Sequence, residues 1–440
     1  MSTIDPATPR PSAPASAVSG RLADGAADAE SLPDSETVSR SVHPRTILLA
    51  ALLVAVIGVL GYAAYPYVAP PWIDEGPLVQ QSTPTELTLV WFTSREAGCE
   101  VRFTSADGGA QKLTTRGKRH AARLTGLRSS TATEYSIHEG DRELFRGKAH
   151  TARAADEPFT FVVFGDSGRG KSDQYALAAR MPAEKPDFLL HTGDLVYPAG
   201  ERHDYKAKFF KPYAALLASV AFWPSLGNHD VAKESDSAAP YREVFELPQN
   251  GPAGQPPENN YWFDYANARI AVFDSNLDES TTRSVILPWL RSAFSAPHPA
   301  GGPRWRFVVM HHPVYSVGKH GDTPRIRDNL VSVFEELAVD VVFSGHDHLH
   351  ERTVPMVGGR AASGSERGVV YLVSGAGGAK LYSVKPRDQW PPYYAMVNNE
   401  THSFTVIRIE NERLRARTVG LTGAGIDEWE LTRSPEGSNN

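Results

Sequence analysis

Residues 46–64, TILLAALLVAVIGVLGYAA, form the longest uncharged apolar run of the chain. As a helix this run is about 28 Å long, enough to cross a bilayer core. It predicts a transmembrane signal-anchor helix over 45–68. A cleaved signal peptide with its cut near Ala64 is the alternative. Against it, the 45 preceding residues are long for an n-region and the run itself is long for an h-region. Arg40 and Arg45 precede the run, and Asp74 and Glu75 follow it. That asymmetry puts the N-terminus in the cytoplasm and the rest of the chain in the periplasm or outside the cell. Residues 1–44 contain no Phe, Tyr or Trp and are rich in Ala, Ser and Pro. They read as a disordered cytoplasmic tail that cannot offset its ordering entropy by burial.

Between 76 and 153 the pattern is that of short strands. ELTLVWF and CEVRF are rich in β-branched and aromatic residues, and turn clusters such as SADGG separate them. This spacing predicts a small β-sandwich. From Phe159 the rhythm changes to buried strands alternating with helices: FTFVVF, SDQYALAARM, DFLLH, a helix near 204–218, and FWP. A hairpin turning at Ala266 and Asn267, a helix near 283–296, WRFVV, RIRDNLVSVFEEL and VDVVF continue it. Meandering strands GVVYLVSG, HSFTVIRIE and RLRARTV follow. Such alternation predicts a sheet core covered by helices on both sides.

Composition narrows the chemistry. The 440 residues carry a net charge of −6 with no basic run, which speaks against a nucleic-acid partner. Cys99 is the single cysteine, so an intrachain disulfide and a cysteine-rich zinc site are excluded. Any metal must be held by His, Asp, Asn or Tyr.

Five strand candidates each end in a polar cluster: GDSG (165–168), GDLVY (193–197), GNHD (227–230), VVMHH (308–312) and GHDHLH (345–350). Ligands of open α/β sheets collect beyond the carboxyl ends of the strands. Taken singly, each cluster is an ordinary turn. Taken together, their carboxylates, amide, imidazoles and phenol suffice for two metals sharing one carboxylate. In this order the motifs resemble those of the purple acid phosphatases, within the calcineurin-like metallophosphoesterases. The resemblance covers residues 159 to about 435. The segment before it looks like the fibronectin-type-III-like domain that often precedes that catalytic domain.

The resemblance implies an α/β fold: a calcineurin-like four-layer αββα domain over 157–435, preceded by a small all-β fibronectin-III-like sandwich over 76–153. Residue by residue, Asp166, Asp194, Tyr197 and His348 resemble the ligands of a first metal. Asp194, Asn228, His311 and His346 resemble those of a second, with Asp194 bridging. Most calcineurin-like phosphatases have a ligand His where this chain has Gly168, and Tyr197 resembles the phenolate that replaces it. The implied centre is Fe(3+) at the first site with Fe(2+), Zn(2+) or Mn(2+) at the second. The implied activity is hydrolysis of a small-molecule phosphate monoester. Asn228, His229 and His320 are then expected to contact substrate, with His229 the first candidate for general acid and His320 the second. His312 lies in the same expected substrate-side loop, and His350 is expected to lie behind the ligands or in solvent. A metallophosphoesterase of diesters, nucleotides or pyrophosphates is a second reading. A surface binding protein on an inactive phosphatase fold is a third, and the complete set of ligand positions speaks against it.

Overall fold

The structure, a computed structural model, describes residues 43–68, 70–231, 238–364 and 366–433, without the side chains at 44, 46 and 60–68. The tail expected to be disordered, apart from its last two residues, lies outside the described residues. The chain divides into two units, Met1–Ala64 and Tyr65–Asn440. In the first, the apolar run lies within a helix, Pro44–Val68. Leu48, Leu52, Val54 and Ile57 are all exposed on it. Among the described residues no helix is long and apolar enough to cross a membrane. The membrane helix expected over 45–68 is therefore not supported.

The second unit opens with five strands, Ile73–Gln80, Leu87–Thr104, Ala110–Leu124, Ala132–Glu139 and Arg142–His150. All five strands are joined in one sheet. The cause is the length of the strand Leu87–Thr104. It pairs with Ala110–Leu124 on both sides of a register shift between Phe92 and Ala97, so both halves share one ladder. This sheet is hydrogen-bonded to the rest of the unit. Gln80, fully buried, donates from Nε2 to the Phe222 carbonyl at 2.6 Å and accepts from the Glu246 amide at 2.8 Å. The Tyr135 hydroxyl donates to the Ala218 carbonyl at 2.9 Å.

The remainder is built on two sheets. One has six strands in the order Gly425–Thr432, Arg413–Gly420, Ser403–Glu410, Phe159–Phe164, Phe188–His191, Ala221–Pro224. The other has seven: Tyr394–Asn398, His350–Thr353, Val370–Ser374, Val341–Ser344, Trp305–Val309, Ala268–Val272, Tyr261–Tyr265. Period-two alternation decides what each face meets. Phe161 packs on Phe307 and Phe343 of the other sheet, with ring centroids 5.7 and 6.1 Å apart. Phe164, of opposite parity, meets Tyr213 on the helix Lys211–Leu217 at 5.2 Å. On the far side, Ala271, Val308 and Val342 share a second core with Leu290, Phe294, Leu330 and Phe334. The helix Pro324–Glu336 forms there because Ile326, Leu330, Val333 and Phe334 recur on one face and Pro sits in its first turn. The result is two stacked sheets with helices on both outer faces.

The strands Phe159–Phe164, Phe188–His191 and Ala221–Pro224 run parallel to one another. So do Trp305–Val309 and Val341–Ser344 in the other sheet. In each group the carboxyl ends, and the loops they feed, therefore lie side by side.

Candidate metal centre

The five loops converge. Asp166 and Asp194 follow the first two strands, Asn228 follows the third, His311 follows Trp305–Val309, and His346 and His348 follow Val341–Ser344. Asp166, Asp194, His311 and His348 are buried. Asp166, Asp194 and His348 present ligand atoms within 4.8 Å of one another. The Tyr197 hydroxyl joins them, 3.3 Å from Asp166 Oδ1 and 3.0 Å from His348 Nε2. Beside this set lies another. Asn228 Oδ1 is 3.0 Å from His311 Nε2 and 2.9 Å from His346 Nδ1, and the two imidazole nitrogens are 3.3 Å apart. Asp194 touches both groups, because its Oδ1 is 3.5 Å from His311 Nε2.

The surrounding backbone aims these groups. His348 Nδ1 faces the Lys380 carbonyl at 2.7 Å, and His311 Nδ1 faces the Thr192 carbonyl at 2.9 Å. A ring N–H held by a carbonyl leaves the lone pair of Nε2 pointing inward, the tautomer a metal needs. The Asp230 carboxylate accepts from the amides of Leu195 and Gly227, both at 2.9 Å, and so ties the GDLVY loop to the GNHD loop. A Cβ on Gly227 would lie 2.1 Å from Asp194 Oδ1, so only glycine lets these loops meet. Gly168 shows why no imidazole enters at that position. A Cβ there would lie 1.8 Å from the Leu195 carbonyl oxygen, and the Gly168 carbonyl accepts from the Tyr197 amide at 2.9 Å.

The electrostatics favour a cation at the centre. Burial raises the Asp166 carboxyl well above the usual range, and Asp194 adds to the effect. Burial, then Asp166 and Asp194, also push the Tyr197 phenol well up. Burial lowers His346 and His348, which keeps their lone pairs free. Acidic groups crowded with neutral imidazoles are the donor set of a metal site, and a cation reverses the penalty on each anion. The residues present therefore fit a dinuclear centre.

Of the other expected residues, His229 lies against Asp194 and His320 against His346. The His229 amide donates to Asp194 Oδ1 at 2.9 Å, its Nδ1 is 2.5 Å from the Pro198 carbonyl, and its Nε2 is 4.0 Å from Asp194 Oδ2. His320 stacks near His346, with ring centroids 4.3 Å apart. Burial is the main cause that lowers its pKa. His312 is held by the Ser275 hydroxyl at 2.8 Å, and its ring is 4.6 Å from that of His346. His350 takes the buried one of its two expected settings. It is fully buried, not solvated, with Nε2 3.1 Å from Asp427 Oδ2, and Arg352 bonds the same carboxylate at 2.7 Å. In the alternating strand it opens, its ring turns toward the neighbouring sheet.

Some contributors are not among the residues expected from the sequence. Asp347 accepts from the amides of His320 and Gly321 at 2.9 and 3.1 Å and so fixes the His320 loop. Asp230 and Asp347 sit inside quoted motifs, and their acceptor role was readable in principle from the Asx-turn habit of such loops. Tyr382, stacked on His348 at 3.9 Å, comes from a stretch without a motif and left no signal.

Comparison with known proteins agrees with this geometry. Residues 159–350 match the sequence model of the family described as Calcineurin-like phosphoesterase. These residues form a calcineurin-like metallophosphoesterase domain, and the chain is an enzyme of the hydrolase class. Its relatives include purple acid phosphatase 17 of Arabidopsis thaliana, 26% identical over 247 residues, covering 51% of this chain and 69% of the relative. A nucleotide pyrophosphatase/phosphodiesterase of Hordeum vulgare is 23% identical over 317 residues, covering 62% of this chain and 83% of the relative. Among solved structures, purple acid phosphatase PPD1 from yellow lupin (Lupinus luteus) superposes with a TM-score of 0.70 at 18% identity, over 82% of this chain and 74% of that one.

Proposed function

We propose that the protein is a dinuclear-metal phosphomonoesterase of purple-acid-phosphatase type. The observation that carries the reading is the pair of donor sets with Asp194 common to both. In it Asp166, Asp194, Tyr197 and His348 hold one metal, and Asp194, Asn228, His311 and His346 hold the other. The bound metals supply positive charge that clamps phosphate oxygens and acidifies a water. The chain does the rest. Tyr197 provides a hard anionic oxygen suited to Fe(3+), with Fe(2+), Zn(2+) or Mn(2+) as the partner. Asn228, His229 and His320 border the phosphate position. His229, anchored by Pro198 through Nδ1, carries the proton for the leaving oxygen on Nε2. The name of the barley relative favours a second reading, in which diesters or nucleotides are the substrates.

Metal-loaded protein should hydrolyse p-nitrophenyl phosphate faster than bis-p-nitrophenyl phosphate, and Asp194→Asn should lose more than 100-fold. A faster diester rate favours the second reading, and absence of both activities overturns the proposal. Two further assignments rest on sequence. We infer a fibronectin-type-III-like module from the position of residues 76–153 ahead of the catalytic domain. We propose a location outside the cytoplasm on the alternative reading of residues 46–64, a cleaved export signal preceded by Arg40 and Arg45.

A further inference from the structure

The strand Val370–Ser374 runs parallel to Val341–Ser344, so the stretch after it opens on the same side as the loop of His346 and His348. That stretch wraps the first donor set. The Gly377 amide donates to the Gly165 carbonyl at 3.0 Å, and the Ala379 amide to the Asp166 carbonyl at 2.8 Å. Tyr382 comes next and is pinned through its backbone. Its amide donates to the His348 carbonyl at 3.2 Å, and its carbonyl accepts from Asn399 Nδ2 at 2.8 Å. The ring lies nearly parallel to the His348 imidazole, at 14°, and meets His320 edge-on with centroids 5.3 Å apart. His320 in turn rests on His346, so Tyr382 touches groups on both sides of the centre. The Lys319 ammonium stands 4.7 Å from the ring centroid. Only the hydroxyl is left over. Among the described residues no group hydrogen-bonds it. Burial raises the Tyr382 phenol, and the charges of Asp166 and Asp194 add to the rise. After burial, Asp166 and Asp194, Tyr382 itself helps to raise the Tyr197 phenol, which lies 3.0 Å from His348 Nε2. The Tyr382 phenol is therefore within electrostatic reach of the metal-facing end of that imidazole. A phenylalanine would stack on His348 as well, so the hydroxyl is a donor the fold does not use.

We propose that Tyr382 is a catalytic residue of the phosphoesterase site, its hydroxyl donating a hydrogen bond to a non-bridging oxygen of the phosphoryl group under attack. The proposal rests on the phosphoesterase reading above and adds a substrate contact from outside the five motifs. In hydrolysis a water oxygen bonds to phosphorus, and the bond from phosphorus to the leaving oxygen breaks. The leaving oxygen keeps the electron pair and takes the proton carried by His229, and one proton of the water passes to solvent. Tyr382 neither gains nor loses a proton. A phenol, with an ordinary pKa near 10, stays a donor through the acid and neutral range. In the transition state charge is spread over the three equatorial oxygens. A donor already held in place by stacking and backbone bonds stabilises that charge without reorganising, and so acts on kcat more than on KM.

The test compares metal-loaded wild type with Tyr382→Phe, which keeps the ring on His348. Metal content and melting temperature are measured alongside, and both should match wild type. The kcat for p-nitrophenyl phosphate should fall about tenfold or more, the worth of one hydrogen bond to a charged group, with little change in KM. The kcat for phenyl phosphate should fall by the same factor, because the contact is to the phosphoryl group and not to the leaving oxygen. The dissociation constant of vanadate, which takes the five-coordinate shape, should rise more than that of inorganic phosphate. A kcat within about twofold of wild type overturns the proposal. Metal loss in Tyr382→Phe also overturns it, because the residue would then act as a support for His348. A larger fall for phenyl phosphate overturns it too, because the hydroxyl would then serve the leaving group. Wild type that hydrolyses neither ester overturns the phosphoesterase reading and the proposal with it.

Discussion

At Asp166, Asp194 and His346 the backbone is left-handed, with φ of 54°, 56° and 69°. Each such residue costs of order 1 kcal/mol or more, and such positions cluster where side chains must be aimed. The three are donors of the proposed centre, so the strain falls where metal binding repays it. These residues were legible because each follows an apolar strand and a glycine, a local pattern. The role of His350 was not, because its partner Asp427 lies 77 residues further along the chain. Removing His350 should therefore act on stability. His350→Ala is expected to cost about 1–3 kcal/mol for the broken buried bond while metal content stays at the wild-type value, whereas His346→Ala should lose metal. Metal loss in His350→Ala would return it to the site. Tyr197 gives a spectroscopic test. A phenolate on ferric iron absorbs in the visible and a phenolate on zinc does not. The iron-loaded, oxidised protein is expected to be violet, and Tyr197→Phe colourless with iron retained. A colourless, iron-replete, oxidised wild type would contradict the assignment of Tyr197.

Elements with strong periodicity could be read from the sequence: the buried strands before each cluster, the hairpin at Ala266 and the amphipathic helix Pro324–Glu336. Strands whose identity depends on a distant neighbour could not. His350–Thr353, Tyr394–Asn398 and Gly425–Thr432 are strands because they add to edges supplied by other segments. The single ladder of the N-terminal sheet likewise depends on a register shift inside one long strand, which no local pattern marks. The strand His350–Thr353 carries a titratable group with a consequence for stability. Glu351 is buried, its Oε1 accepts from the Val317 amide at 2.9 Å, and its Oε2 has no partner among the described residues. Burial pushes its pKa up to about 8, against about 4.3 in an unfolded chain. Between those values the native state holds a proton that the unfolded state releases, so stability falls as pH rises through the window. Glu351→Gln keeps the acceptor for Val317 and removes the titration. Denaturation followed from pH 4 to 8 should show wild type losing stability relative to Glu351→Gln as pH rises. Parallel profiles would contradict the burial argument.

On the scale of the whole molecule, the two sheets place their parallel carboxyl ends around one site, and the N-terminal sheet packs against the same unit through groups such as Gln80. Compartment is testable with the intact chain. A reporter active only outside the cytoplasm, fused after Asn440, should be active. Activity of a cytoplasm-dependent reporter instead would contradict a location outside the cytoplasm. The central claim is that seven side chains from five loops hold two metals through one shared carboxylate. Elemental analysis of purified wild type and Asp194→Asn after identical metal loading tests it most directly. The account predicts two metal ions per chain in wild type, and fewer than one in Asp194→Asn with its fold retained by circular dichroism. Two ions per chain in Asp194→Asn, or none in a wild type that still hydrolyses phosphate esters, would contradict it.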